Sequence, residues 1–128
     1  MTIHKCKDLE IYNVSFASAM EIFQETRKFP REELYSLVDQ IRRSSRSVPA
    51  NIREGFAKRR YPEVFARHLN DALGSSEETL TWLEFAYQCA YLPKKNFEEL
   101  SEQYERAGAM IFKLMRNWRS FDSSDNRE

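Results

Sequence analysis

With 128 residues, 41% of them hydrophobic and 13% aromatic, the chain is long enough for one domain that buries roughly two-thirds of its unfolded surface, and too apolar for a disordered segment. Lys and Arg number 20 and Asp and Glu also 20, so net charge by itself points to no partner. No apolar run approaches the roughly 20 residues of a membrane span, the opening MTIHKCKDLEIY has no apolar leader core, and Cys6 and Cys89 are too few and too far apart for a disulfide framework or a zinc knuckle; a cytoplasmic protein with free thiols and no membrane partner is expected.

Three of the 4 prolines, Pro30, Pro62 and Pro93, lie between long stretches of helix formers. They divide the chain into helices over about 8–28, 32–60, 63–91 and 95–119, with a flexible tail over 121–128. In the first helix Leu9, Tyr12, Phe16, Ala19, Met20 and Phe23 recur at spacings of three and four and predict one buried face. The second places Leu34, Val38, Ile41, Ser45, Val48, Ile52 and Phe56 on a stripe, with Pro49 expected to kink it without ending it. The third carries Phe65, Leu69, Leu73, Ser76, Leu80, Leu83 and Tyr87, and the fourth Phe97, Leu100, Tyr104, Ala107, Ile111, Leu114 and Trp118. Short connections make consecutive helices antiparallel neighbours, so the chain is expected to be all-α, a single up-down-up-down four-helix bundle.

The third helix has a second apolar face. At about 100° per residue, Val64, Trp82 and Phe85 lie nearly opposite Leu69 and Leu80. Either this face joins copies of the chain, or Trp82 tucks over the edge of its own bundle.

Charge is segregated along the chain. Between Ile41 and Arg60 the basic residues Arg42, Arg43, Arg46, Arg53, Lys58, Arg59 and Arg60 meet only Glu54, whereas the acids from Asp71 to Glu105 meet only Lys94 and Lys95. On an ideal helix Arg42, Arg46, Arg53 and Arg60 fall within a sector of about 40°, a ridge about 27 Å long. Such a ridge attracts polyanions through local field and counterion release, and guanidinium forks match phosphates. Its alternative is a solvated face, or ion pairs with the acids of the third and fourth helices in another subunit. Phe56 and Tyr61 are the nearby aromatics for base stacking, Phe56 being expected in the core. Lacking a motif for sequence readout, binding is expected to use phosphate backbone and shape.

No enzyme is expected. A di-iron bundle needs paired Glu-x-x-His motifs, and the residues three before His4 and His68 are Met1 and Phe65. Asn51 with Glu54, and Ser75 with Glu78, sit one turn apart on the second and third helices and are expected to face each other in a structural polar network. A metal-dependent hydrolase built on Glu54 and Glu78 is a distant third reading, and no phosphate loop or zinc spacing suggests a cofactor or metal.

The segments LYSLVDQIRRSSRSVPANIREGFAKR and FARHLNDALGSSEETLTWLEFA resemble the S23-like four-helix-bundle family of proteins encoded in intervening sequences of 23S ribosomal RNA genes. The matching positions are Gln40, Ile41, Arg42, Arg43, Ser47, Asn51, Ile52, Glu54, Gly55, Ala72, Gly74, Ser75 and Glu78. The resemblance implies an antiparallel bundle assembled as a homopentameric ring; the family's name records gene location, not an activity. A weaker, architectural likeness links the chain to the accessory variability determinant of diversity-generating retroelements, a basic ring that binds nucleic acid and a reverse transcriptase. Arg53 departs from the family pattern, which has a small residue there, and a charge at that place requires solvent or a partner. The expected function is therefore non-enzymatic binding of structured RNA or DNA by an oligomer, with a protein-interaction adaptor as the alternative.

Overall fold

The computed structural model describes residues 2–125, with side chains through Trp118. Its helices are α1 (Glu10–Thr26), α2 (Leu37–Ala57), α3 (Pro62–Gln88) and α4 (Lys94–Asp125), with short 3-10 turns at Cys6–Asp8 and Arg31–Glu33; among the described residues there is no strand.

The proline punctuation has local reasons. Pro62 stands in the first turn of α3, where its missing N–H is no loss. Pro93 stands before α4 and its carbonyl accepts the Phe97 N–H at 2.9 Å. Pro49 lies buried inside α2, which runs through it.

Helices α1 and α3 end two or three residues short of expectation, and three other boundaries differ from it. Helix α2 starts at Leu37, not near 32, because Glu33 caps it: its carboxylate accepts the Ser36 hydroxyl at 2.6 Å and the Leu37 N–H at 3.4 Å. Leu34 thereby leaves the apolar stripe and is exposed. At its other end α2 stops at Ala57, and Lys58–Tyr61 form a tight turn. Helix α4 continues to Asp125, with no Gly or Pro after Gly108 to stop it. The expected flexible tail is thus helical as far as Asp125, and its residues 126–128 lie outside the described residues.

Every neighbouring pair is antiparallel. Thr26 meets Arg42 while Tyr12 meets Arg53; Ser44 meets Thr79 while Asn51 meets His68; Tyr87 stacks on Phe97 while Phe65 packs on Trp118; Glu25 meets Asn96 while Ser18 meets Gln103. The core follows the predicted stripes of α2, α3 and α4, with Val48, Ile52, Phe65 and Ile111 wholly buried and an edge-to-face cluster of Phe56, Phe65 and Trp118 at one end. Burial of each large side chain contributes about 1.5–3 kcal/mol.

Helix α1 departs from its predicted stripe. It buries Ile11, Ser15, Ser18, Ile22 and Thr26 beside Tyr12 and Ala19, and leaves Phe16 and Met20 exposed by 51% and 46%. The small Ser15, Ser18 and Ala19 let α1 lie close to its neighbours, so its bulky residues are left on the flank shared with α2.

Candidate nucleic-acid interface

Arg42, Arg46 and Arg53 do form a ridge on α2, but it leans onto α1 instead of standing free in water. The Arg42 guanidinium lies 4.8 Å from the centre of the Phe23 ring, Arg46 6.0 Å and Arg27, at the end of α1, 5.9 Å. Arg42 Nε donates to Thr26 Oγ1 at 2.9 Å. Arg53 donates to the Tyr12 hydroxyl at 3.1 Å, and that bond raises its pKa above the ordinary guanidinium value. The charge at position 53 thus has a partner within the chain. Partial burial, reinforced by repulsion from Arg46 and Arg27, pulls Arg42 below its ordinary value. Among the described residues no carboxylate lies within ion-pairing distance of Arg27, Arg42, Arg46 or Arg53. The cluster is therefore positive and self-repelling, and an anion would relieve it.

The remaining basic residues divide. Arg43 pairs with Asp39 at 3.7 Å and Lys58 with Glu54 at 3.6 Å, both in exposed one-turn pairs worth little. Arg59 folds over the Phe56 ring at 4.0 Å and donates to the Phe56 carbonyl at 3.1 Å. Arg60 belongs to the turn after α2, so it does not extend the helical ridge as its spacing predicted. Phe56 is buried and Tyr61 exposed.

The aromatics beside the ridge are ones assigned to the core by periodicity. Phe16, Met20 and Phe23 of α1, with Arg46, Pro49, Arg53 and Glu54 of α2, line an open groove of about 540 Å³. Sequence reasoning missed Arg27, Phe16 and Phe23 as site residues because they lie on a different helix; the signal available was a stripe on α1 too wide for one buried face.

The polar network exists at the α2–α3 seam with changed membership. Asn51 Nδ2 donates to the Ser47 carbonyl and reaches Ser47 Oγ, both at 3.0 Å; Ser75 donates to Ser47 Oγ at 2.8 Å, and Thr79 to Ser44 Oγ at 2.8 Å. His68 sits between Asn51 Oδ1, 3.2 Å from Nδ1, and Glu54 Oε2, 3.4 Å from Nε2. In antiparallel helices a step forward on α2 is a step back on α3, so Glu54 meets His68 and Glu78 lies about 15 Å further along α3. Glu78 instead accepts the Trp82 indole N–H at 3.0 Å on an exposed face. The expected facing of Glu54 and Glu78 is thus corrected. Gly55 belongs to the same seam: a Cβ there would stand 2.5 Å from His68 Cβ.

On the outer face of α3, Trp82 and Phe85 form a pair with ring centres 5.8 Å apart, Phe85 exposed and Trp82 partly packed against the core. Val64, also partly buried, lies about 27 Å away along α3 and is not part of that patch. Across the bundle, Glu77, Glu84, Glu98, Glu102 and Glu105 rim a second groove of about 490 Å³ between α3 and α4, over Leu80 and Phe97.

Among the described residues no three His, Cys, Asp or Glu side chains gather as metal ligands, and no helix is long and apolar enough to cross a membrane. Cys6 is buried and Cys89 exposed, and both are free. The molecule is an all-α protein of four antiparallel helices whose most organised surface chemistry is an arginine-rimmed aromatic groove. Residues 7–113 match the family model of the 23S rRNA-intervening sequence protein, and the chain belongs to that family. Its fold is similar to the crystal structure of a protein with unknown function from the S23 ribosomal protein family of Bacteroides thetaiotaomicron, with 24% identity, a TM-score of 0.75, and coverage of 82% of this chain and 97% of that one. No curated protein matches the sequence.

Proposed function

We propose that this protein is a non-catalytic, cytoplasmic nucleic-acid-binding bundle that holds RNA or DNA by its phosphate backbone along the α1–α2 edge, without cofactor or metal. The observation that carries this reading is the cluster of Arg27, Arg42, Arg46 and Arg53, which lean on Tyr12 and Phe23 and have no carboxylate partner among the described residues. Fork-shaped donors held in place lose less side-chain entropy when they meet phosphates. In this reading the protein acts as a homo-oligomer, with the ring of five implied by the family resemblance and the Trp82–Phe85 pair as its contact; repetition around a ring multiplies weak phosphate contacts. The test is fluorescence anisotropy with labelled RNA and duplex DNA across a salt series. Wild type is expected to weaken linearly in log–log terms at about 0.9 per phosphate on duplex DNA, and a folded Arg42→Glu, Arg46→Glu, Arg53→Glu variant to lose binding. Equal binding by the two proteins sinks the reading.

A protein adaptor is the second reading, favoured by the acidic α3–α4 groove on the opposite side of the bundle from the arginines. Two complementary faces on one molecule suit head-to-tail association. Light scattering then gives a mass that falls with salt and with the arginine reversals, and nucleic acid binds neither form.

A further inference from the structure

Phosphate contacts along α2 require no apolar floor, yet the structure places one beneath the arginines. Phe16 and Met20 are each about half exposed, with Phe23 partly exposed between the guanidiniums of Arg27, Arg42 and Arg46. Leaving such side chains in water forgoes about 25 cal/mol for each Å² of apolar surface. A duplex keeps its bases stacked inside and offers a groove of this kind only phosphates and sugar. A strand with unpaired bases offers both chemistries, since anionic phosphates suit the rim and flat rings stack on aromatic side chains or on guanidinium planes.

We propose that the α1–α2 groove is a site for the unpaired bases of single-stranded RNA or DNA, seated on Phe16 and Met20 while Arg42, Arg46 and Arg53 hold the flanking phosphates. This rests on the nucleic-acid reading above and names its substrate class. The lining carries Arg46 and Arg53 against one carboxylate, Glu54, whose Oε2 lies 3.6 Å from Lys58 Nζ and 3.4 Å from His68 Nε2, and Arg42 stands beside it over Phe23, so the local excess is positive and suits a polyanion. The rim cations are all arginines, which stack as well as pair, whereas lysine offers a point charge alone. The volume of about 540 Å³ is within the range of sites for small organic groups. Bases would stack against the open side of Phe16 or the outer plane of a guanidinium, because Arg42 already covers the Phe23 ring.

The experiment measures anisotropy of a labelled 12-nucleotide oligo-uridine or oligo-thymidine and of a duplex of equal length at one salt concentration, with wild type and a Phe16→Ala, Met20→Ala variant. Both substitutions fall on exposed side chains, and the fold of the variant is checked by circular dichroism. Wild type is expected to bind the single strand at least tenfold more tightly than the duplex. The variant is expected to lose at least tenfold more affinity for the single strand than for the duplex. A 2-aminopurine in the oligonucleotide should change its fluorescence on binding wild type and not the variant. Equal affinities for the two nucleic acids, or equal losses in the variant, overturn the base site and leave the phosphate reading standing. Absence of binding to either overturns both. A fall in oligomeric mass of the variant by light scattering, with single-strand binding intact, assigns the groove to a second copy of the chain and also overturns the proposal.

Discussion

Two grooves of similar size lie on opposite sides of this bundle and differ in sign. The one between α1 and α2, about 540 Å³, is lined by Arg46 and Arg53 with a single carboxylate, Glu54; the one between α3 and α4, about 490 Å³, is rimmed by glutamates over Leu80 and Phe97. Shape does not separate them, and a chain with 20 basic and 20 acidic residues has no net charge with which to choose a partner. The choice is made locally, by two fields about a bundle's width apart, each screened by salt over about 10 Å. In the proposed function a polyanion is drawn to the arginine side and repelled from the glutamate side, so that the molecule would present one face to it.

The largest test of this contrast is charge reversal on each side. Arg42→Glu, Arg46→Glu and Arg53→Glu together are expected to lower nucleic-acid affinity at least a hundredfold, which is about 2.7 kcal/mol. Glu77→Lys, Glu84→Lys and Glu98→Lys together should instead raise affinity, as read by anisotropy at fixed salt. Equal losses from both triples would mean that neither side is special.

The seam that separates the two grooves is the next target. Gly55→Ala puts a Cβ 2.5 Å from His68 Cβ, and the shift this forces between α2 and α3 is expected to cost about 1–3 kcal/mol in urea unfolding. Because α2 is one wall of the arginine groove, affinity there should fall with it.

A smaller effect ties the ends of the two regions together. Tyr91, before α4, donates its hydroxyl to Glu33, before α2, at 2.8 Å. The Ser36 hydroxyl and then the Tyr91 hydroxyl hold Glu33 below its ordinary value, while the same carboxylate, with some desolvation, pushes Tyr91 up to about 12. For Glu33 the folded form prefers the carboxylate, so its contribution is present at neutral pH and fades as pH falls through the folded value. For Tyr91 the folded form prefers the phenol, so its contribution is full below about 10 and is lost as pH rises through about 12. Thermal unfolding of Tyr91→Phe should show a flatter dependence at both ends than wild type.

The smallest expected change leaves both grooves untouched. Ala90, two residues beyond the end of α3, has φ of 63°, a left-handed conformation that costs a residue with a Cβ. Its backbone is held by the Tyr91 N–H donating to the Ala86 carbonyl at 2.9 Å, which closes the helix end. Ala90→Gly should raise stability by roughly 0.5–1 kcal/mol without altering binding.

The helices were legible because each carries apolar residues at helical spacing and is bounded by proline or a short polar turn. The boundaries read less well: Glu33 caps α2 through its side chain, and nothing after Gly108 marks where α4 stops. Pairings between helices were legible only in kind. Asn51, Glu54 and Ser75 were recognised as polar residues bound for an interface, yet Ser47 and His68 are the groups they meet, since partner identity depends on register and not on spacing within one helix.

The sequence by itself determined that the chain is four amphipathic helices with a local excess of basic residues between Ile41 and Arg60, because periodicity and composition are properties of neighbours along the chain. Only the tertiary structure decided which face of α1 is buried. Leu9, Tyr12 and Ala19 of the predicted stripe are buried, but the small Ser15 and Ser18 pack inside where Phe16, Met20 and Phe23 had the stronger apolar claim. Close helix packing rewards the side that fits its neighbours, and the aromatic residues were thereby turned toward the arginines of α2.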